Sequence, residues 1–251
     1  DSHPPSALRS LLEIYQQEKD WEKALEQAQR LEQASGEHMG SVMAQFSCEL
    51  AEAALADDDR ERARRHLRHA RRHDPRCVRA RFLLADIAMQ SGDADTASEL
   101  YEEIAELDAD YIPELLDDYI EAASAAGKPE HCRRKLDEWA GRYNGISLIL
   151  KLTEFIAREQ GGEAAGQYLV DRLASKPSVR GLDRLIELKA GGHLDVESSE
   201  DILKAVTTRL LSRQPVYRCH HCGFSGQTHH WLCPSCRNWG TTKRIQGVVG
   251  E

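Results

Sequence analysis

The sequence predicts an all-α chain: a solenoid of stacked helical hairpins with a small metal-binding knuckle at its C-terminal end. Three observations carry this expectation. The 251 residues are dominated by Ala, Leu, Glu and Arg, with few aromatics and modest Gly and Pro, a set of side chains that loses little rotamer freedom in a helix. A small residue followed four and seven positions later by packing residues recurs about every 34 residues. Four of the seven cysteines crowd into one short C-terminal stretch.

The repeat is that of tetratricopeptide-like hairpins, in which a small residue marks the close crossing of two helices. In the first hairpin Leu8, Leu11, Leu12 and Tyr15 precede Ala24, Ala28 and Leu31. The second carries Ala63, Leu67 and Ala70 before Pro75. The third has Leu84, Ala85 and Ala88, then Ala97, Tyr101 and Ile104, so Ala63 and Ala97 sit one repeat apart. Leu116, Tyr119, Ile120 and Ala123, followed by Cys132, Leu136 and Trp139, make a fourth. Ile149, Leu152 and Ile156 with Ala165 and Leu169, closing at Pro177, make a fifth. The pair Val179 to Ala190 and Ser198 to Arg213 is expected as a sixth. Lys19-Asp20, Asp57-Asp58-Asp59, Ser91-Gly92-Asp93, Gly127-Lys128-Pro129 and Gly161-Gly162 supply the breakers between paired helices, with Asp20 and Asp93 as expected N-caps.

Residues 1–213 are therefore expected to form about six hairpins and 214–251 a separate small domain. In such a stack each unit buries its apolar face only against its neighbours, which leaves an extended groove suited to segments of other proteins.

After Pro215 the sequence changes to Tyr217-Arg-Cys219-His-His-Cys222-Gly-Phe, then eight residues, then Cys233-Pro-Ser-Cys236. Each C-x-x-C pair folds into a tight turn whose two thiolates chelate one ion, with Gly223 tolerating the left-handed conformation that follows. Cys219, Cys222, Cys233 and Cys236 are thus expected to bind one Zn²⁺ or one iron; four soft donors suit either. With all four positions filled by Cys no coordination site is left for a catalytic water, so the role is structural. Fewer than about 40 residues cannot fold alone, and the metal is expected to supply their folding free energy. His220, His221, His229 and His230 flank the thiols as alternative ligands or outer donors. Of Phe224, Trp231 and Trp239, some are expected to dock on the last helices.

The formal charge of −9 disfavours general nucleic-acid binding, though Arg218, Arg237, Lys243 and Arg244 could serve a zinc-ribbon contact. No apolar run approaches the length of a membrane span, and the chain starts at Asp1, as a soluble piece lacking its natural N-terminus would. Phosphate-cradling loops, zincin motifs and nucleophile elbows are absent. The pairs Glu102-Glu103 and Asp117-Asp118 point different ways on their helices and read as solvated faces. The chain is expected not to be an enzyme.

Arginines run densely from Arg60 to Arg81, interleaved with His66, His69 and His73. Arg64, Arg68 and Arg71 share a helical face, with Arg72 beside them, and this face could hold carboxylates or phosphates by bidentate hydrogen bonds.

The hairpins together with Tyr217, Arg218, Cys219, Cys222, Gly223, Phe224, Trp231, Cys233, Pro234, Ser235, Cys236, Arg237 and Trp239 resemble the lipopolysaccharide assembly protein B family of Gram-negative bacteria. That resemblance implies a rubredoxin-like C-terminal domain, and an N-terminal transmembrane anchor and further repeats that precede the point where this chain starts. It implies a location on the cytoplasmic face of the inner membrane. The implied function is an adaptor in control of lipopolysaccharide synthesis, helping the membrane protease FtsH degrade the lipid A pathway deacetylase LpxC under an inner-membrane signalling protein. Two other readings remain: an iron redox module carried on helical repeats, and a nucleic-acid-binding zinc ribbon. Where ordinary rubredoxins have glycine after the second knuckle this chain has Arg237, a departure that weighs against simple electron transfer.

Overall fold

A computed structural model describes residues 4–143, 145–176, 178–190 and 214–246. The chain divides into two compact units, 1–108 and 109–251. In the first, helices α1 (Pro5–Glu18), α2 (Trp21–Ser35), α3 (Gly40–Ala56), α4 (Arg60–His73), α5 (Val78–Gln90) and α6 (Ala94–Leu107) follow one another. Each packs on the next, from α1 through to α6, and α3 also reaches α5. This is a linear stack in which neighbours supply the core.

The small residues stand where the helices approach most closely. Ala63, Leu67 and Ala70 on α4 are completely buried, and so are Ala97 and Ile104 on α6. Cys48 and Cys77 lie in the same apolar cluster with their sulfurs 3.9 Å apart. Leu11, Tyr15 and Leu84 are only half-buried, so the expected stripe is narrower than the sequence pattern drew it.

One corner joins the helices of each hairpin. A residue in the left-handed region, Lys19, Asp58 or Gly92, precedes an aspartate whose carboxylate accepts from the amide three positions on. Asp20, Asp59 and Asp93 thus cap α2, α4 and α6. Their own amides donate to Tyr15, Ala54 and Ala88 carbonyls, each at 2.9 Å, which satisfies groups a helix end otherwise leaves orphaned.

In the second unit a 3₁₀ turn (Ala109–Tyr111) leads into α7 (Ile112–Ala125), α8 (Pro129–Arg142), α9 (Ile146–Gln160), α10 (Gly162–Ser175) and α11 (Val179–Ala190). The corner recurs at Gly127 and Lys128, with Pro129 at the helix start instead of a side-chain cap. Tyr119 and Trp139 fill the interior of the α7–α8 pair, their rings 4.9 Å apart, while Ile120 is half-buried. The expected partner of α11, Ser198 to Arg213, lies outside the described residues. Strands β1 (Tyr217–Cys219), β2 (Ser225–Gly226) and β3 (Thr242–Arg244) then form an antiparallel sheet in the order β2-β1-β3. No helix among the described residues is long and apolar enough to cross a membrane.

The arginine run is not one solvated face. Arg79 and Arg81 are buried at 3% and 6% exposure. Arg79 donates to Glu49 at 2.9 Å and Glu52 at 2.8 Å on α3, and Arg81 to Glu103 at 2.7 Å and to the Cys77 carbonyl. Arg79 fastens one hairpin to the preceding one, and Arg81 ties the two helices of its own hairpin together. Arg79→Ala leaves two carboxylates facing each other beside a void, and because both are partly solvated we expect a loss of about 2 kcal/mol, below the cost of breaking a fully buried pair. A shift of the denaturant midpoint in circular dichroism measures it, and Arg79→Met, which keeps the packing stem, should lose less.

Candidate metal centre

Two turns of the tail repeat one hydrogen-bond pattern. The Cys219 amide donates to the Phe224 carbonyl and the Gly223 amide to the Cys219 carbonyl; fourteen residues on, Cys233 donates to Asn238 and Arg237 to Cys233. The residue after each second cysteine, Gly223 at φ 79° and Arg237 at φ 54°, is left-handed. Glycine adopts that conformation freely and arginine does not, so the second turn keeps the geometry at a steric cost.

The pattern aims all four thiols inward. Cys219 and Cys236 sulfurs are 3.7 Å apart, Cys222 and Cys233 3.8 Å, and all four lie within 4.8 Å of one another. An ion held tetrahedrally at about 2.3 Å from each sulfur sets them about 3.8 Å apart, so these residues fit a single Zn²⁺ or iron. Amides of His221 and Cys222 point at Cys219, and those of Ser235 and Cys236 at Cys233, stabilising thiolate charge.

The acidities follow. Burial pushes the Cys219 thiol up, but hydrogen bonds from Thr241 and the knuckle amides outweigh it and bring it down to about 6. Asn238 brings Cys236 down to about 7, whereas burial pushes Cys233 up to about 11. Sulfurs this crowded cannot all ionise unless a cation shares their charge. Among the described residues no histidine joins the cluster. His229 instead donates from Nε2 to the Thr242 carbonyl at 3.2 Å, and burial holds its pKa below the usual imidazole value.

The tail is seated on the start of the second unit. The Glu114 carboxylate accepts from the Tyr217 hydroxyl at 3.0 Å and from Arg244 Nε at 2.6 Å. Trp231 stacks on Tyr111 with ring centres 5.5 Å apart, Lys243 Nζ stands 3.6 Å above the same ring, and His229 is boxed edge-on by Tyr111, Tyr217 and Trp231. Trp231 thus docks not on the last helices but on the 3₁₀ turn: among the described residues this stack and these bonds run to that turn and α7, more than 100 positions upstream, while Ser198 to Arg213 lies outside the described residues. Tyr111 and Glu114 carried no signal in the sequence beyond membership of a helical repeat. Two of the four cations available to a nucleic-acid contact, Lys243 and Arg244, are engaged in this seat.

The other candidates separate. Glu103 pairs with Arg71 and Arg81, and Asp117 with Lys151, while burial first and the neighbouring Asp117 second push the Asp118 carboxyl up. Arg64 lies 3.3 Å from the Ser91 hydroxyl and 3.8 Å from Glu61, and Arg71 lies 3.4 Å from Glu103, whereas Arg68 and Arg72 are exposed. The face drawn from the sequence thus divides into engaged and open arginines.

Residues 48–112 match the Tetratricopeptide repeat family and 217–243 the Rubredoxin metal binding domain. The chain is 29% identical to "Lipopolysaccharide assembly protein B" of Escherichia coli K12 over 97% of its length, and 30% identical to the protein of that name from Haemophilus influenzae over 96%. It spans 63% and 61% of the length of these relatives. A solved structure titled "Functional Characterization of Pseudomonas Aeruginosa pilF" is 18% identical, covering 83% of this chain and 90% of that one at a TM-score of 0.43.

Two outcomes follow from the geometry. Glu114→Ala leaves the Tyr217 hydroxyl and Arg244 without their acceptor, so limited proteolysis should cleave near 214 at a metal concentration that protects the parent chain; equal protection of both would refute the seat. Arg237→Gly removes a left-handed penalty of about 1 kcal/mol. The metal-loaded tail should then yield its ion to a chelator about fivefold less readily, as followed by competition with a coloured chelator.

Proposed function

We propose that this chain, whose likeness to lipopolysaccharide assembly protein B runs through both its repeats and its tail, is a non-enzymatic adaptor in the control of lipopolysaccharide synthesis. The stacked hairpins hold a client protein and the tail fixes the helices that begin the second unit. The client is the lipid A pathway deacetylase LpxC, presented to the membrane protease FtsH at the cytoplasmic face of the inner membrane, with an inner-membrane signalling protein setting the rate. Bond cleavage belongs to the protease.

The observation that supports this reading is the joining of a four-thiol centre to helical repeats through Glu114. Cys219, Cys222, Cys233 and Cys236 hold one Zn²⁺ or iron, which supplies the tail with the folding free energy its small core lacks. The folded tail then presents Tyr217, Trp231 and Arg244 to the 3₁₀ turn and α7. The ion is structural in this scheme, because four thiolates leave no position for a reacting water.

A second reading, an iron redox module, has one point in its favour: the Cys222 residue is exposed, which would offer an electron a short path to a partner. Reversible visible absorbance from an iron-loaded sample would select it, and a colourless zinc site would dismiss it.

The adaptor reading is tested in cells that depend on the protein. Cys219→Ser should leave the tail unfolded and slow deacetylase turnover to the rate found without the protein, as followed by immunoblot after translation is stopped. Turnover at the parental rate would sink the reading.

A further inference from the structure

Helix α4 carries seven arginines against one glutamate, while residues 1–108 as a whole hold 14 Lys and Arg against 23 Asp and Glu. Half of the positive charge of an acidic unit is gathered on 14 residues. Like charges three and four positions apart disfavour a helix, so this concentration opposes the fold unless something neutralises it.

The structure sorts these arginines by partner. Arg60 lies 3.8 Å from Asp58, Arg62 3.4 Å from Glu22, Arg64 3.8 Å from Glu61 and Arg71 3.4 Å from Glu103. Arg65, Arg68 and Arg72 are exposed and make no ion pair or hydrogen bond among the described residues. Their spacing of three and four places them on one face, spanning about 10 Å at the helical rise per residue. His69, also exposed, falls between them.

We propose that Arg65, Arg68 and Arg72 form a docking stripe for a carboxylate-rich segment of a partner protein. Charge complementarity and shape favour that occupant. Every cation on α4 is arginine, whose planar fork grips a carboxylate by two parallel hydrogen bonds where lysine offers a point charge. The stripe is narrow and bounded by acids, with Asp57, Asp58 and Asp59 before the helix and Asp74 after it. A flat anionic bilayer or a nucleic-acid backbone laid across it would meet those acids too, whereas a slender acidic segment with side chains at matching helical intervals meets only the guanidinium groups. The stripe lies outside the metal-bearing tail and does not depend on it.

The test uses the whole 251-residue chain and a labelled helical peptide carrying Glu at positions i, i+3 and i+7, with its Gln counterpart, read by fluorescence anisotropy. The Glu peptide should bind about tenfold more tightly than the Gln peptide, and its affinity should fall as salt is raised. R65Q/R68Q/R72Q should lose about that tenfold without lowering the thermal midpoint, while R64Q/R71Q should change the affinity less than about twofold. Equal binding of both peptides, undiminished binding by the triple variant, or stripe-dependent retention on phosphatidylglycerol vesicles or a DNA oligonucleotide without binding to the peptide would overturn the proposal.

Discussion

The carboxylate of Glu114 accepts hydrogen bonds from Tyr217 and Arg244, and through it a tail with too little core of its own is tied to helices that have one. The tie works because of where it sits. Glu114 and Arg244 side chains are 22% and 23% exposed, sheltered enough for a charge-assisted bond to be stronger than at an open surface, yet wet enough to avoid the full penalty of burying ions. Beside this bond the rings of Trp231, His229 and Tyr111 pack together. An ion bound by the four thiols, by ordering the strand that carries Tyr217, would reach α7 without any contact between the ion and a helix.

Much of this could be read from residue order. The spacing of Ala63 and Ala97 gave the repeat, and the two C-x-x-C pairs gave four donors whose sulfurs do converge. Both signals are local, because each is written within one helical turn or one knuckle. What stayed hidden joins separate helices. Arg79 and Arg81 look like any other arginines in a basic run until Glu49, Glu52 and Glu103 arrive from other helices, 22 to 30 positions away. Glu114 and Tyr217 are 103 positions apart, and no periodicity records such a meeting. The third corner cap, Asp59, stood in plain view within an acidic triplet, but only its backbone geometry tells it from Asp57 and Asp58.

The two knuckles are near copies in hydrogen bonding and unequal in sequence. Gly223 takes its left-handed turn without strain, and Arg237 repeats it with a full side chain. The backbone pattern, not the side chain, is what the thiols require. The same economy holds on the helical side, where Lys19, Asp58, Gly92 and Gly127 all fill one conformational slot.

That slot has a wider consequence. Because each corner is closed by its own amide and carbonyl groups, the angle between paired helices is set without reference to neighbouring pairs. Gene duplication or loss of a whole hairpin would then leave every remaining corner intact, and only the packing between pairs, such as Arg79 against Glu49 and Glu52, would have to be matched anew.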